Sequence, residues 1–132
     1  MTSPKATRCP CGSGDTYALC CGRFHSGEAV AATAQMLMRS RFSAFAVGDA
    51  GYLSDTWDPS GRPSSIDLDD ATRWTQLEIV DTVRGGPFDA DGVVEFKAHY
   101  RIGKSRGVRH ERSRFVKKSG RWLYVGGDSY SS

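Results

Sequence analysis

Val94-Glu95-Phe96-Lys97-Ala98-His99-Tyr100-Arg101-Ile102 alternates without a break. Val94, Phe96, Ala98, Tyr100 and Ile102 share one side of an extended chain, and Glu95, Lys97, His99 and Arg101 share the other. This is the pattern of a strand with one face on a core and one in water. Gly103 to Gly107 follows as a hairpin loop, and a second strand is expected from about Val108 to Lys118. Phe115 belongs on its core face, so Ser113 and Glu111 share that face, while His110, Arg112 and Arg114 point outward. Matching the two core faces requires partner numbers that add to an odd value, because an even sum would set Phe96 opposite Arg114. The register expected on that rule pairs Glu95 with Arg114, a favourable cross-strand ion pair. It also turns Glu111 toward the interior.

Outward from this hairpin the pattern weakens but persists. Downstream, Ser119-Gly120 turns the chain, Trp122 to Val125 forms a last strand and Gly126-Gly127 ends it. Upstream, Leu77, Ile79, Asp81 and Val83 alternate as a half-buried strand, followed by turns at Gly85-Gly86-Pro87 and Asp91-Gly92. Before that the period becomes helical. Residues 28–47 are rich in alanine, lack proline and meet Gly48 as a stop, with Glu28 favourably near the start. Ala34, Leu37, Met38, Phe42 and Phe45 form its apolar stripe, and Arg41 lies on or beside that stripe. A shorter helix is expected over residues 49–58, with Tyr52, Leu53 and Trp57 packing and Pro59 ending it. A third is expected over 65–74, capped by Asp67, with Leu68, Ala71 and Trp74 at near-helical spacing. Helices first and an antiparallel meander of about four strands second define an α+β domain, with the helices on one face of a curved sheet.

All four cysteines fall in residues 9–21, Cys-Pro-Cys-Gly-Ser-Gly-Asp-Thr-Tyr-Ala-Leu-Cys-Cys. Cys9 and Cys11 form one pair and Cys20 and Cys21 the other, with Gly12-Ser13-Gly14 giving freedom for a tight turn and Tyr17 to Leu19 one helical turn. Four soft thiolates on a short loop suit a tetrahedral Zn²⁺ site. Disulfides and a redox dithiol are the alternatives. The polar N-terminus has no secretory apolar run, which points to the cytoplasm, where lasting disulfides are rare. A bond between adjacent cysteines is strained, and Cys-x-x-Cys is absent. His25 follows the cysteines and is expected to be a solvated loop histidine rather than a further ligand. Residues 1–8 are expected to be a loose lead-in and Arg23 to Gly27 a connector.

The chain has 132 residues and a formal net charge of +3. That length suits one compact domain with a small appendage: residues 1–27 for the knuckle and connector, 28–132 for the domain. No apolar run is long enough to span a membrane. Residues 49–95 hold 11 acidic and 3 basic side chains, whereas residues 97–121 hold 10 basic ones and a single acid, Glu111. Mutual neutralisation of these segments is expected in preference to a nucleic-acid surface, since no RNA-binding signature or run of stacking aromatics accompanies the basic residues.

The cysteine segment resembles the SEC-C zinc motif, known from the C-terminal tail of the translocase ATPase SecA. The match extends to Gly12-Ser13-Gly14 and Tyr17, although Asp15-Thr16 stands where many members have two lysines. The resemblance implies that Cys9, Cys11, Cys20 and Cys21 ligate structural zinc. Met38-Arg39-Ser40-Arg41-Phe42-Ser43-Ala44-Phe45, Tyr52-Leu53, Thr56-Trp57, His110-Glu111-Arg112-Ser113-Arg114-Phe115-Val116 and Gly120-Arg121-Trp122 are similar to the YchJ family. That family joins a SEC-C motif to a cone-shaped domain of the nuclear transport factor superfamily, and it brings no established activity.

Two functions follow as expectations. The first is a zinc-stabilised binding module, with a protein partner engaged through the knuckle near Arg8 and Arg23. The second is a small-molecule enzyme that uses the cone, with Arg41, Trp57, Glu111 and Ser113 as pocket candidates and an Arg41–Glu111 ion pair as one arrangement inside it. His99 and His110 are expected on the outer face. A homodimer through that outer face fits the superfamily.

Overall fold

The computed structural model describes residues 8–66, 68 and 71–130. A 3-10 turn, Tyr17–Leu19, leads into α1 (Cys21–His25), α2 (Ala34–Val47) and α3 (Ala50–Asp55). Four strands follow: β1 (Thr72–Arg84), β2 (Asp91–Ile102), β3 (Ser105–Lys118) and β4 (Arg121–Tyr130). They form one antiparallel sheet in the order β1-β2-β3-β4. This is the expected α+β architecture, with helices first and a meander second.

α2 starts later than its alanine content suggests. Thr33 caps it by accepting the Met36 N–H at 3.1 Å, and the Ala34 N–H donates to Gly85 at the end of β1. Residues 28–32 are non-helical, and the Trp122 indole donates to the Ala32 carbonyl at 3.1 Å. A side-chain cap and a tertiary hydrogen bond thus outweigh helix propensity. Gly48 ends α2 with φ +83°, a left-handed cap that glycine adopts without Cβ strain. Asp49 then caps α3 by accepting the Tyr52 N–H. Among the described residues the helix expected over 65–74 is not found: Ser65, Ile66 and Leu68 carry none, and Trp74 lies in β1. Asp67, its expected cap, lies outside the described residues.

β2 alternates as expected, with Val94, Phe96 and Ala98 buried and Tyr100 half-buried, and only the terminal Ile102 emerges into solvent. The register keeps the odd sum but is offset by two residues, so that Phe96 faces Glu111 and Glu95 faces Arg112, not Arg114. The cause is the turn. Ile102 pairs with Ser105, leaving a two-residue hairpin in place of a five-residue loop. β1 departs more strongly. Bulges between Trp74 and Gln76 and between Ile79 and Asp81 shift its phase, so Leu77 and Ile79 face the core while Asp81 and Val83 do not. β4 runs through Gly126-Gly127 to Tyr130 rather than ending there.

The core between α2 and the sheet includes Leu37, Met38, Phe42, Leu77, Val94, Phe96, Phe115 and Trp122. On the outer face, Glu95 accepts from His110 at 2.7 Å and Arg112 at 2.9 Å, and Arg112 reaches Asp81 at 3.4 Å. Asp58 pairs with Lys118 at 2.6 Å. The acidic middle and the basic end of the chain therefore neutralise one another directly. Among the described residues no helix is long and apolar enough to cross a membrane.

Candidate metal centre and cavity

The turn at Pro10–Gly14 and the 3-10 turn bring the two cysteine pairs together. Arg8 and Thr16 form an isolated antiparallel bridge, and the Cys9 N–H donates to the Asp15 carbonyl at 2.8 Å. The four Sγ atoms lie within 4.8 Å of one another. Cys9, Cys11 and Cys21 are buried and Cys20 is half-buried. Cys11 and Cys20 are 3.6 Å apart at sulfur, far beyond the roughly 2.05 Å of a disulfide. It is close to the about 3.8 Å edge of a tetrahedron with 2.3 Å zinc–sulfur bonds. The donor set therefore fits zinc by spacing, chemistry and burial.

Hydroxyl groups support negative charge on the sulfurs. Ser13 donates to Cys20 at 3.1 Å, and Ser43 of α2 lies 3.4 Å from the Cys9 sulfur. Hydrogen bonding from Cys11, then Cys21, pulls Cys9 far below the ordinary thiol range. The bonds with Cys11 and Cys9, together with burial, push Cys21 up. Four thiols this close compete for protons, and a divalent cation relieves that competition.

The knuckle is docked on α2. Arg39 donates to the Cys11 carbonyl at 2.9 Å. His25 is not a solvated loop residue: it closes α1 and is half-buried against Tyr17 and Tyr52. Its Nε2 donates to the Ser40 carbonyl at 2.8 Å, which leaves Nδ1 to accept the Tyr17 hydroxyl at 2.5 Å. The expected connector is thus a helix that carries a clamp.

The opposite side of α2 faces a cavity of about 150 Å³ whose lining includes all four sequence candidates, Arg41, Trp57, Glu111 and Ser113. Arg41 is 3% exposed. Its Nη1 donates to the Leu53 carbonyl at 2.8 Å and to Thr56 Oγ1 at 2.7 Å. Its guanidinium lies 4.5 Å from the Tyr124 ring centre and 5.3 Å from that of Trp57. Burial lowers its pKa to about 10, so it stays charged at neutral pH.

The Arg41–Glu111 ion pair does not form. Glu111 Oε1 accepts from Tyr124 at 3.0 Å and from Ser113 at 3.2 Å, and Oε2 accepts from Arg109 Nε at 3.3 Å. Burial, then the neighbouring Glu111, pushes the Tyr124 phenol up to about 12, which keeps it a donor. Sequence reasoning missed Arg109 and Tyr124. Arg109 was accessible to it, because residues 109, 111, 113 and 115 share a face by simple alternation. His99 and His110 lie on the outer face as expected, beside Glu78 and Glu95.

A cysteine knuckle set against the first long helix of a helix-covered, four-stranded open sheet defines a SEC-C motif joined to a domain like that of nuclear transport factor 2. The model of the SEC-C motif matches residues 7–23, and that of the YchJ middle NTF2-like domain matches residues 33–127. The chain belongs to the YchJ family. It is 56% identical to a UPF0225 protein of Corynebacterium glutamicum, over 92% of this chain and 96% of that one. A UPF0225 protein of Streptomyces coelicolor is 52% identical over 91% and 94% of the two chains. The solution structure of a SEC-C motif containing protein from Rhodopseudomonas palustris is similar with a TM-score of 0.80 at 35% identity, covering 93% of this chain and 98% of that one. The crystal structure of a sec-c motif containing protein from Psychrobacter arcticus has a TM-score of 0.79 at 26% identity, covering 98% and 86%.

Proposed function

We propose that the chain is a zinc-stabilised binding protein of the cytoplasm. Cys9, Cys11, Cys20 and Cys21 hold one Zn²⁺, and the ion's role is structural because four protein sulfurs leave no position for water or substrate. The approach of all four sulfurs to within 4.8 Å carries this reading. The metal fixes the segment that meets Arg39, Ser40 and Ser43, so it braces α2 from the side opposite the cavity. The exposed side of the knuckle, with Arg8, Ser13 and Leu19, is the surface offered to a protein partner.

Binding in the cavity is favoured over turnover by the state of Glu111. Its carboxylate is committed to Arg109, Ser113 and Tyr124, whereas a general acid or base must be free to exchange a proton with a substrate. Elemental analysis of untagged protein tests the metal site. The expected result is about one zinc per chain, lost when Cys20 and Cys21 are both replaced by serine. Metal-free protein from a fresh reduced preparation overturns the reading.

A further inference from the structure

Arg41 is a buried cation with no carboxylate within ion-pair distance among the described residues. Both of its hydrogen bonds leave from Nη1, so Nε and Nη2 donate to nothing among the described residues. A guanidinium removed from water needs an anion or a full set of acceptors. Glu111, the acid nearest at hand in the cavity, is occupied by three other donors. The lining carries Arg41, Arg109 and Glu111, an excess of one positive charge. The rest of the wall is largely aromatic. Phe42 and Phe45 pack on Trp74 with ring centres 6.2 Å and 6.0 Å away. The volume of about 150 Å³ is that of a cavity that accepts one benzene ring.

We infer that this cavity binds a small aromatic carboxylate, its ring against Phe42, Phe45 and Trp74 and its carboxylate on the free edge of Arg41. A guanidinium edge presents two parallel donors to a planar carboxylate, a fit that a tetrahedral phosphate with no ring does not share with this wall. The inference rests on the binding-protein reading, and it deepens that reading by naming the class of ligand.

The test is calorimetric titration of the zinc-loaded full chain with benzoate, benzyl alcohol and inorganic phosphate, with zinc content measured on the same sample. Loss of metal and loss of ligand are thereby told apart. Benzoate is expected to bind at least about tenfold more tightly than benzyl alcohol, since only the anion answers Arg41. Glu111→Gln removes the neighbouring negative charge and is expected to tighten benzoate further. Arg41→Met is expected to erase the preference for benzoate over benzyl alcohol. Ala98→Leu, which fills the cavity while keeping Arg41, is expected to weaken both aromatic probes. Equal affinity for benzoate and benzyl alcohol, phosphate binding as tightly as benzoate, or no binding of benzoate at millimolar concentration by zinc-loaded protein overturns the inference.

Discussion

Charge is buried on both sides of α2. In the knuckle, four sulfurs within 4.8 Å of one another share the hydroxyls of Ser13 and Ser43. In the cavity, Arg41 is enclosed by the rings of Trp57 and Tyr124 and, among the described residues, bonded through Nη1 alone. The knuckle is local: its four sulfur donors come from 13 consecutive residues, Cys9 to Cys21. The cavity is assembled from α2, the segment after α3, and all four strands. A metal site made from one segment would stand or fall with its ion. A site made from distant segments is distributed across the core and depends on packing.

The largest effect expected is on the knuckle. Replacing Cys20 and Cys21 by serine is expected to abolish the proposed metal binding, which is worth on the order of 10 kcal/mol in comparable sites. In hydrogen exchange, amides of residues 8–25 should lose protection while those of β2 and β3 keep theirs. Equal loss in the sheet would break the contrast between a local site and a distributed one.

Gly127→Ala attacks the other side. Its methyl group would collide with Glu111 Oε1 and lie 2.9 Å from Ser113 Oγ and 3.0 Å from the Arg112 carbonyl. Urea unfolding should show a loss of about 1–3 kcal/mol, with zinc content unchanged. His25→Ala comes next. It removes the bonds to Tyr17 and Ser40 and should cost about 1–2 kcal/mol, loosening α1 in exchange experiments while retaining zinc. Loss of the metal in that variant would make His25 a ligand rather than a clamp.

The smallest effect is a pH dependence at Asp58, the residue after the cavity-lining Trp57. Lys118, then Ser60, lowers its carboxyl to about 2. The unfolded chain therefore takes up this proton first, near pH 3.9. The pair's contribution to stability is complete above roughly pH 4. It disappears as the pH falls through about 2. In Lys118→Met the Asp58 carboxyl should titrate at higher pH by NMR. An unchanged titration would leave Ser60 as the controlling partner.

The segments that declared themselves in the sequence are those whose pattern is repetitive and close to hand. The β2 alternation set the core face, parity then fixed the sense of the β2–β3 register, and four cysteines in one loop defined the knuckle. What failed depends on partners far along the chain. The two-residue turn after Ile102 moved Glu95 from Arg114 to Arg112. Two bulges turned Asp81 outward, and the α2 start was decided by Thr33 and Gly85 rather than by alanine content. Arg41, Trp57, Glu111 and Ser113 meet around one cavity, yet the ion pair suggested for Arg41 and Glu111 was displaced by Arg109 and by Tyr124 from β4. Local periodicity gives the direction of a side chain and leaves its partner open.

The bulges of β1 bear on how the protein behaves at high concentration. β1 is an outer strand, 13 residues long. A straight outer strand of that length is a template for strand addition by another chain. Here the ladder is interrupted twice, and Arg73, Glu78, Asp81 and Arg84 stand exposed along it. An incoming strand would lose register at each interruption and meet charges of both signs. The irregularity that hid the phase of β1 from its sequence therefore also guards this edge of the sheet against strand addition.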